Sequence, residues 1–226
     1  MALFRFRLFA QGEIEVVRGL FYRGGCVLCM ERDASRFRLC EECLSALPFL
    51  GERLLTEKRL PVYALFRENP LTAKMIQGLK YREERYWQDV FGGLGADYLI
   101  RKKLHGVDFI CAVPTSPKKR RLRGYNPPEL VARKIASDLN LTYFEGLHLQ
   151  KKMKDQIGLT AKERRDNVRG GFRADPVKGK VLLVDDTYTT GATLASCREA
   201  LLASGAHDVI GFVCMKAAEV PQDDIL

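Results

Sequence analysis

The chain has 226 residues, 46% of them hydrophobic and 29% charged, and a formal net charge of +9. That length holds one domain with a good core and a small appendage, and the composition is that of a globular protein. No apolar run reaches the ~18 residues that a membrane-crossing helix needs, so no transmembrane helix is expected.

The opening residues, 1–15, are amphipathic. They lack the continuous apolar stretch and small-residue cleavage site of a secretion signal, so the expected compartment is the cytoplasm. Next come two cysteine pairs, CVLC at 26–29 and CEEC at 40–43. Two thiolate pairs on tight turns can converge on one tetrahedral ion with Zn–S bonds of about 2.3 Å. The expected ligands of a structural zinc are therefore Cys26, Cys29, Cys40 and Cys43, and four protein ligands leave no open position for catalysis. Two disulfides or a redox pair are the alternatives, and a cytoplasmic chain argues against disulfides. Cys111, Cys197 and Cys214 stand alone in apolar surroundings and read as small buried hydrophobes.

Residues 44–60 read as a linker with a short helix. Residues 61–68 alternate and read as a strand. Asn69-Pro70 marks a turn into a helical stretch, 71–103, expected to be interrupted at its glycines. The apolar run 108–113 reads as a buried strand ending at Pro114, and 115–126 as a basic loop. Pro127 and Pro128 open a helix over 129–140, with Val131, Ile135 and Leu139 on one face. Residues 141–144 read as a strand, and 151–170 as a mobile polar loop with a short helix around 161–168. Strands over 180–184 and 208–215 flank a helix over 192–204. Helix and strand alternate, so the expected class is α/β with a mostly parallel sheet. The expected domains are 1–50, an N-terminal segment with the cysteine ribbon, and 51–226. The charge is unevenly placed: residues 118–173 hold 15 Lys/Arg and 6 Asp/Glu, which is the whole net charge. Such an excess suggests an anionic partner, the phosphates of a small molecule or of a nucleic acid, with a solvated basic face as the alternative.

The most informative stretch is VLLVDDTYTTGAT at 181–193. Its unbroken apolar run reads as a central strand buried on both faces. Asp185 and Asp186 then fall at the carboxyl end of a parallel strand, where open α/β sheets bind ligands. Gly191 permits a positive φ in the turn that follows. Free N–H groups at the next helix start can cradle an anion, with the hydroxyls of Thr189, Thr190 and Thr193 as further donors. Carboxylates at one end and a phosphate cup at the other suit a ribose 5-phosphate.

This stretch resembles the phosphoribosyl pyrophosphate (PRPP) motif of type I phosphoribosyltransferases. The ComF family of competence-associated, phosphoribosyltransferase-like proteins is resembled more widely. The cysteine ribbon, LKYREER at 79–85, VPTSPKKRRLRGYNPPELVA at 113–132 and QIGLTAKERRDNVRGGF at 156–172 are all similar to segments of that family. The chain departs from the pattern at Pro127, where the family has Gln.

The resemblance implies a type I phosphoribosyltransferase fold behind a small zinc ribbon. It implies that Asp185 and Asp186 meet the ribose and help hold Mg²⁺, and that Thr187, Thr189, Thr190, Gly191, Ala192 and Thr193 surround the 5′-phosphate. Pro114, Thr115, Ser116, Lys118, Arg120, Arg121 and Arg123 match the pyrophosphate loop, a place where this fold often holds a strained or cis peptide. Residues 151–159 match a closing lid, and Lys80 and Arg82 match a further basic segment of the pocket. The implied reaction is displacement of pyrophosphate from C1 of the ribose by an acceptor that the sequence does not identify. No general base is apparent, since His105, His148 and His207 lie outside the motifs. A non-catalytic competence factor that holds single-stranded DNA on the same scaffold, beside other competence proteins, is the alternative.

Overall fold

The structure is a computed structural model that describes residues 24–56, 59–81, 84, 86–150 and 171–218. It divides into two compact units, one up to Ala46 and one from Leu47 onward. In the first, isolated bridges join Gly25 to Asp33 and Arg36 to Leu39, and helix α1 (Glu41–Ser45) follows.

The second unit is built on a six-stranded sheet. Its strands are β1 (Arg53–Leu55), β2 (Pro61–Arg67), β3 (Phe109–Ala112), β4 (Thr142–Tyr143), β7 (Gly179–Tyr188) and β8 (Ala206–Lys216). The spatial order is β1-β2-β8-β7-β3-β4. Only β1 is antiparallel to its neighbour; the other four pairings are parallel. A separate antiparallel hairpin pairs β5 (Leu147–Leu149) with β6 (Phe172–Ala174). The α/β class with a mostly parallel sheet is thus as the sequence leads one to expect.

Val181 to Val184 in β7 are fully buried, because helices cover both faces. Val181 and Leu183 share a core with Leu194, Cys197 and Leu201 of helix α6 (Ala192–Ala203); side chains alternate across a strand, so Leu182 and Val184 face the other way. Helix α2 (Pro70–Tyr81) is started by a reciprocal cap. The Thr72 N–H donates to Asn69 Oδ1 at 2.9 Å, and the Asn69 N–H to Thr72 Oγ1 at 3.0 Å.

Two expectations need correcting. Helix α3 (Tyr86–Arg101) runs straight through Gly92, Gly93 and Gly95 instead of breaking there. The glycines serve close packing: a Cβ at Gly95 would lie 2.9 Å from Phe212 Cζ and 3.1 Å from Ile135 Cδ1. The basic segment read as a loop contains helix α4 (Pro117–Arg123), capped by Ser116 Oγ, which accepts from the Lys119 N–H, and ended by Gly124 at φ 75°. Helix α5 (Pro127–Leu139) follows. Residues 1–23 and 151–170, with the expected lid and the amphipathic start, lie outside the described residues. Among the described residues, no helix is long and apolar enough to cross a membrane.

Candidate functional site

Strand β7 carries the central carboxylates. Its pairing with β8 continues past the buried run, joining Thr187 to Met215 and Tyr188 to Lys216. Asp185 and Asp186 therefore lie within the strand's carboxyl end, not beyond it, both half-buried. The Asp186 backbone N–H donates to Asp185 Oδ1 at 2.8 Å. Burial, and then the charge of Asp186, push the Asp185 carboxyl up to about 8, against the Asp186 N–H, Lys80 and Lys119, which favour its ionised form.

Lys80, near the end of α2, answers this negative charge. Its ammonium lies 2.7 Å from Asp186 Oδ1 and donates to Thr187 Oγ1 at 3.2 Å. Burial works to lower its pKa, but the charge and hydrogen bond of Asp186, and then the charge of Asp185, outweigh it, so the net shift is upward. The end of α2 is pinned by Tyr125, whose hydroxyl donates to the Leu79 carbonyl at 2.8 Å. Arg82 lies outside the described residues.

The turn from β7 into α6 is closed by Gly191 at φ 73°. A Cβ there would come within 2.7 Å of Thr56 Cγ2 and 2.8 Å of Tyr188 Cε2, so only glycine fits. Thr190 Oγ1 accepts from the Ala192 N–H at 3.4 Å. Thr189 is exposed, while Thr190, Ala192 and Thr193 are half-buried.

Strand β3 runs beside β7, with Ala112 opposite Val184, and the Val113 N–H donates to the Val184 carbonyl at 2.9 Å. The half-buried Pro114, Thr115 and Ser116 thus leave the sheet one strand away from Asp185. No peptide bond among the described residues is cis. Beyond Ser116, α4 displays Lys118, Lys119, Arg120 and Arg121 to solvent. Arg123 turns back, donating to Tyr81 Oη at 2.9 Å and lying 4.6 Å over its ring. The structure therefore gathers Asp185, Asp186, Lys80 and Thr187 into one hydrogen-bonded group and sets the 114–116 loop on the neighbouring strand.

His148 lies outside every motif, yet its Nε2 is 2.9 Å from Asp175 Oδ2 on the wall of a cleft beside Pro114. Strands β5 and β6 that carry it pair across residues far apart in sequence, which leaves no local signal.

In the first unit the Sγ atoms of Cys26, Cys29, Cys40 and Cys43 all lie within 4.8 Å of one another, and all four are free thiols. Cys29 and Cys40 Sγ are 3.9 Å apart. Tetrahedral Zn–S bonds of about 2.3 Å place sulfurs ~3.8 Å apart, so the spacing fits a metal. Burial raises the Cys26 thiol, but backbone N–H groups of Cys29, Cys40 and Leu28 bring it down to about 6. Cys43 is pushed upward by burial and by the neighbouring thiols. Thiolates crowded this closely repel one another, and a cation among them would offset that repulsion.

No family model matches the chain. The chain is similar to the DNA utilization protein YhgH of Salmonella typhimurium, with 27% identity over 202 residues that cover 84% of this chain and 89% of that one. Competence protein F of Haemophilus influenzae is 26% identical over 230 residues, covering 92% and 96%. Competence protein ComFC of Streptococcus pneumoniae is 27% identical over 157 residues, covering 66% and 65%. The resemblance to competence-associated proteins is thus matched by relatives along nearly the whole chain. Among solved structures, the allosteric regulatory enzyme of purine biosynthesis aligns with 61% of this chain and 30% of its own, at 19% identity and a TM-score of 0.42.

Proposed function

We propose that this chain is a PRPP-binding protein of the phosphoribosyltransferase type that acts in DNA uptake and natural transformation. The observation that carries the reading is the carboxylate pair at the end of a buried parallel strand, followed at once by a turn that only glycine can make. In this reading Asp185 and Asp186 accept from the ribose hydroxyls, the 187–193 turn takes the 5′-phosphate, and the 114–116 loop with the basic side chains of α4 takes the pyrophosphate. Lys80 stands where its charge opposes the rise of the Asp185 carboxyl, and it can donate to the same ligand. Mg²⁺, when bound, supplies positive charge at the pyrophosphate and ribose oxygens.

Catalysis, in this reading, is displacement of pyrophosphate from C1 of the ribose. Charge builds on the leaving group while the sugar becomes cationic, so fixed cations near Ser116 and α4 lower the barrier. Calorimetry with PRPP and Mg²⁺, followed by pyrophosphate release with nucleobases and amines, tests binding and turnover separately. The absence of any PRPP heat would sink the reading. The four cysteines hold a structural zinc in the same proposal, and the relatives named for competence and DNA utilization motivate the cellular role.

A second reading is favoured by one specific observation. On α4, exposed Lys118, Lys119, Arg120 and Arg121 stand beside Leu122, which is 79% exposed, and Arg123 stacks on Tyr81, itself 64% exposed. Exposed cations next to an aromatic face suit single-stranded DNA. The two readings are compatible.

A further inference from the structure

Lys80 reaches the carboxylate pair from a helix end that its neighbours hold in place. It is the next-to-last residue of α2. On one side of it, the Leu79 carbonyl accepts from the hydroxyl of the buried Tyr125 at 2.8 Å. On the other side, Tyr81 lies under the Arg123 guanidinium and its Oη accepts an N–H from it at 2.9 Å. Arg123 and Tyr125 belong to the segment that follows the 114–116 loop, so that segment sets where Lys80 sits. Ordering a lysine side chain costs rotamer entropy, and the contacts at its head must offset that loss.

Those contacts are with the pair itself. The ammonium lies 2.7 Å from Asp186 Oδ1 and 3.2 Å from Thr187 Oγ1. The Lys80 and Asp186 side chains are only 19% and 13% exposed, so water screens their attraction weakly. On the other carboxylate, Asp185 Oδ1 accepts the Asp186 N–H at 2.8 Å. A divalent ion ligated by Asp186 would meet a fixed like charge at this carboxylate. Mg²⁺ also demands near-octahedral oxygen ligands at about 2.0–2.1 Å and gives up its water reluctantly. An ammonium has three N–H donors and no lone pair, so it supplies charge but no ligand to a metal. These residues therefore fit an ammonium on Asp186 and do not fit a metal ion ligated there. A sugar diol meets no such obstacle. Its hydroxyls donate to carboxylates and accept from an ammonium, and it brings no charge into the group.

We propose that Lys80 is the resident cation of the carboxylate pair, so that a ribose 5-phosphate binds at the end of β7 without a divalent metal. Mg²⁺ then enters with the pyrophosphate oxygens and not through Asp186. Lys80 is a specificity-determining residue in this scheme, because it makes the pair prefer a neutral diol to a hydrated metal ion. The proposal rests on the reading that a ribose meets Asp185 and Asp186.

The test is calorimetry of ribose 5-phosphate on the full chain, with and without Mg²⁺. Free divalent ions are removed by exchange resin and not by a strong chelator, so that metal held by the four cysteines stays. The wild type should bind with the same affinity, within about twofold, in both buffers. Lys80→Met keeps the length and removes the charge. It should lose about tenfold or more without metal and regain affinity when Mg²⁺ is added. Mn²⁺ binding, read from the electron paramagnetic resonance of the free ion, is a second measurement that involves no sugar. Asp186→Asn should leave the Mn²⁺ binding of the wild type unchanged, and should abolish the extra Mn²⁺ binding that Lys80→Met gains. Should Lys80→Met fail to fold, the wild-type and Asp186→Asn measurements still decide. Ribose 5-phosphate binding that requires Mg²⁺ in the wild type, or wild-type Mn²⁺ binding that Asp186→Asn removes, overturns the proposal. Absence of ribose 5-phosphate binding in both buffers contradicts instead the ribose reading on which it rests.

Discussion

At the residue scale the protein keeps a carboxyl where burial opposes its charge. Asp185 is raised from 3.8 to about 8 in the fold. Between those values the folded chain holds a proton that the unfolded chain has released, so the stability contributed is complete below pH ~4 and is lost as pH rises through about 8. Asp185→Asn removes the titration. The variant should show a flatter dependence of melting temperature on pH from 4 to 8. At pH 8 it should melt higher than the wild type by roughly 2–8 °C, for ~1–2 kcal/mol in a chain of this size. An unchanged slope in a thermal-melt series would contradict the assignment. The position of Asp185 was legible in the sequence, because two adjacent aspartates directly after four apolar residues suit a strand end that faces a ligand and little else. The hydrogen bond from Asn126 Nδ2 to the Val113 carbonyl at 3.0 Å was not, because its two partners lie far apart along the chain.

At the element scale the decisive pieces are the β7–α6 turn and helix α4. Gly191 combines a left-handed φ with a neighbour 2.7 Å from any added Cβ. Gly191→Ala should therefore cost about 1–3 kcal/mol from backbone strain alone, read as a lower denaturation midpoint. On α4, Lys118, Lys119, Arg120 and Arg121 changed together to Ala should weaken single-stranded DNA binding across all sequences. The slope of log affinity against log salt should flatten by about 0.7 for each phosphate that is no longer neutralised. Gel-shift titrations at several salt concentrations read both, and an unaltered slope would place any DNA site elsewhere. The parallel strands and α5 could be read from apolar periodicity, which burial on both faces imposes. Helix α4 was not legible, although Ser116, Pro117 and Gly124 are its start and stop signals, because five basic residues leave no apolar stripe. The break between α2 and α3 could not be placed because Gly92 and Gly95 serve packing against Lys134, Phe212 and Ile135, neighbours that no local pattern contains.

At the scale of the whole molecule, the first unit has few apolar side chains among its described residues, with Cys26, Leu39 and Cys40 buried. In the zinc reading, the metal supplies much of this unit's folding free energy. Protein purified without chelators should carry one zinc per chain, and stripping it should unfold this unit while the unit from Leu47 onward keeps its melting transition. Less than about half an equivalent by metal analysis would count heavily against four thiolate ligands.

The most direct test of the proposed function is PRPP affinity, measured by calorimetry in the presence of Mg²⁺, for the wild type and for the double variant Asp185→Asn, Asp186→Asn. At a pH above the raised value of Asp185, about 8, each change keeps the shape and removes a charge, and a hydrogen bond to a charged group contributes roughly 1.5–3 kcal/mol. Loss of at least about tenfold in affinity by a folded double variant is the expected result. The same affinity in both proteins would contradict a ribose site at the end of β7.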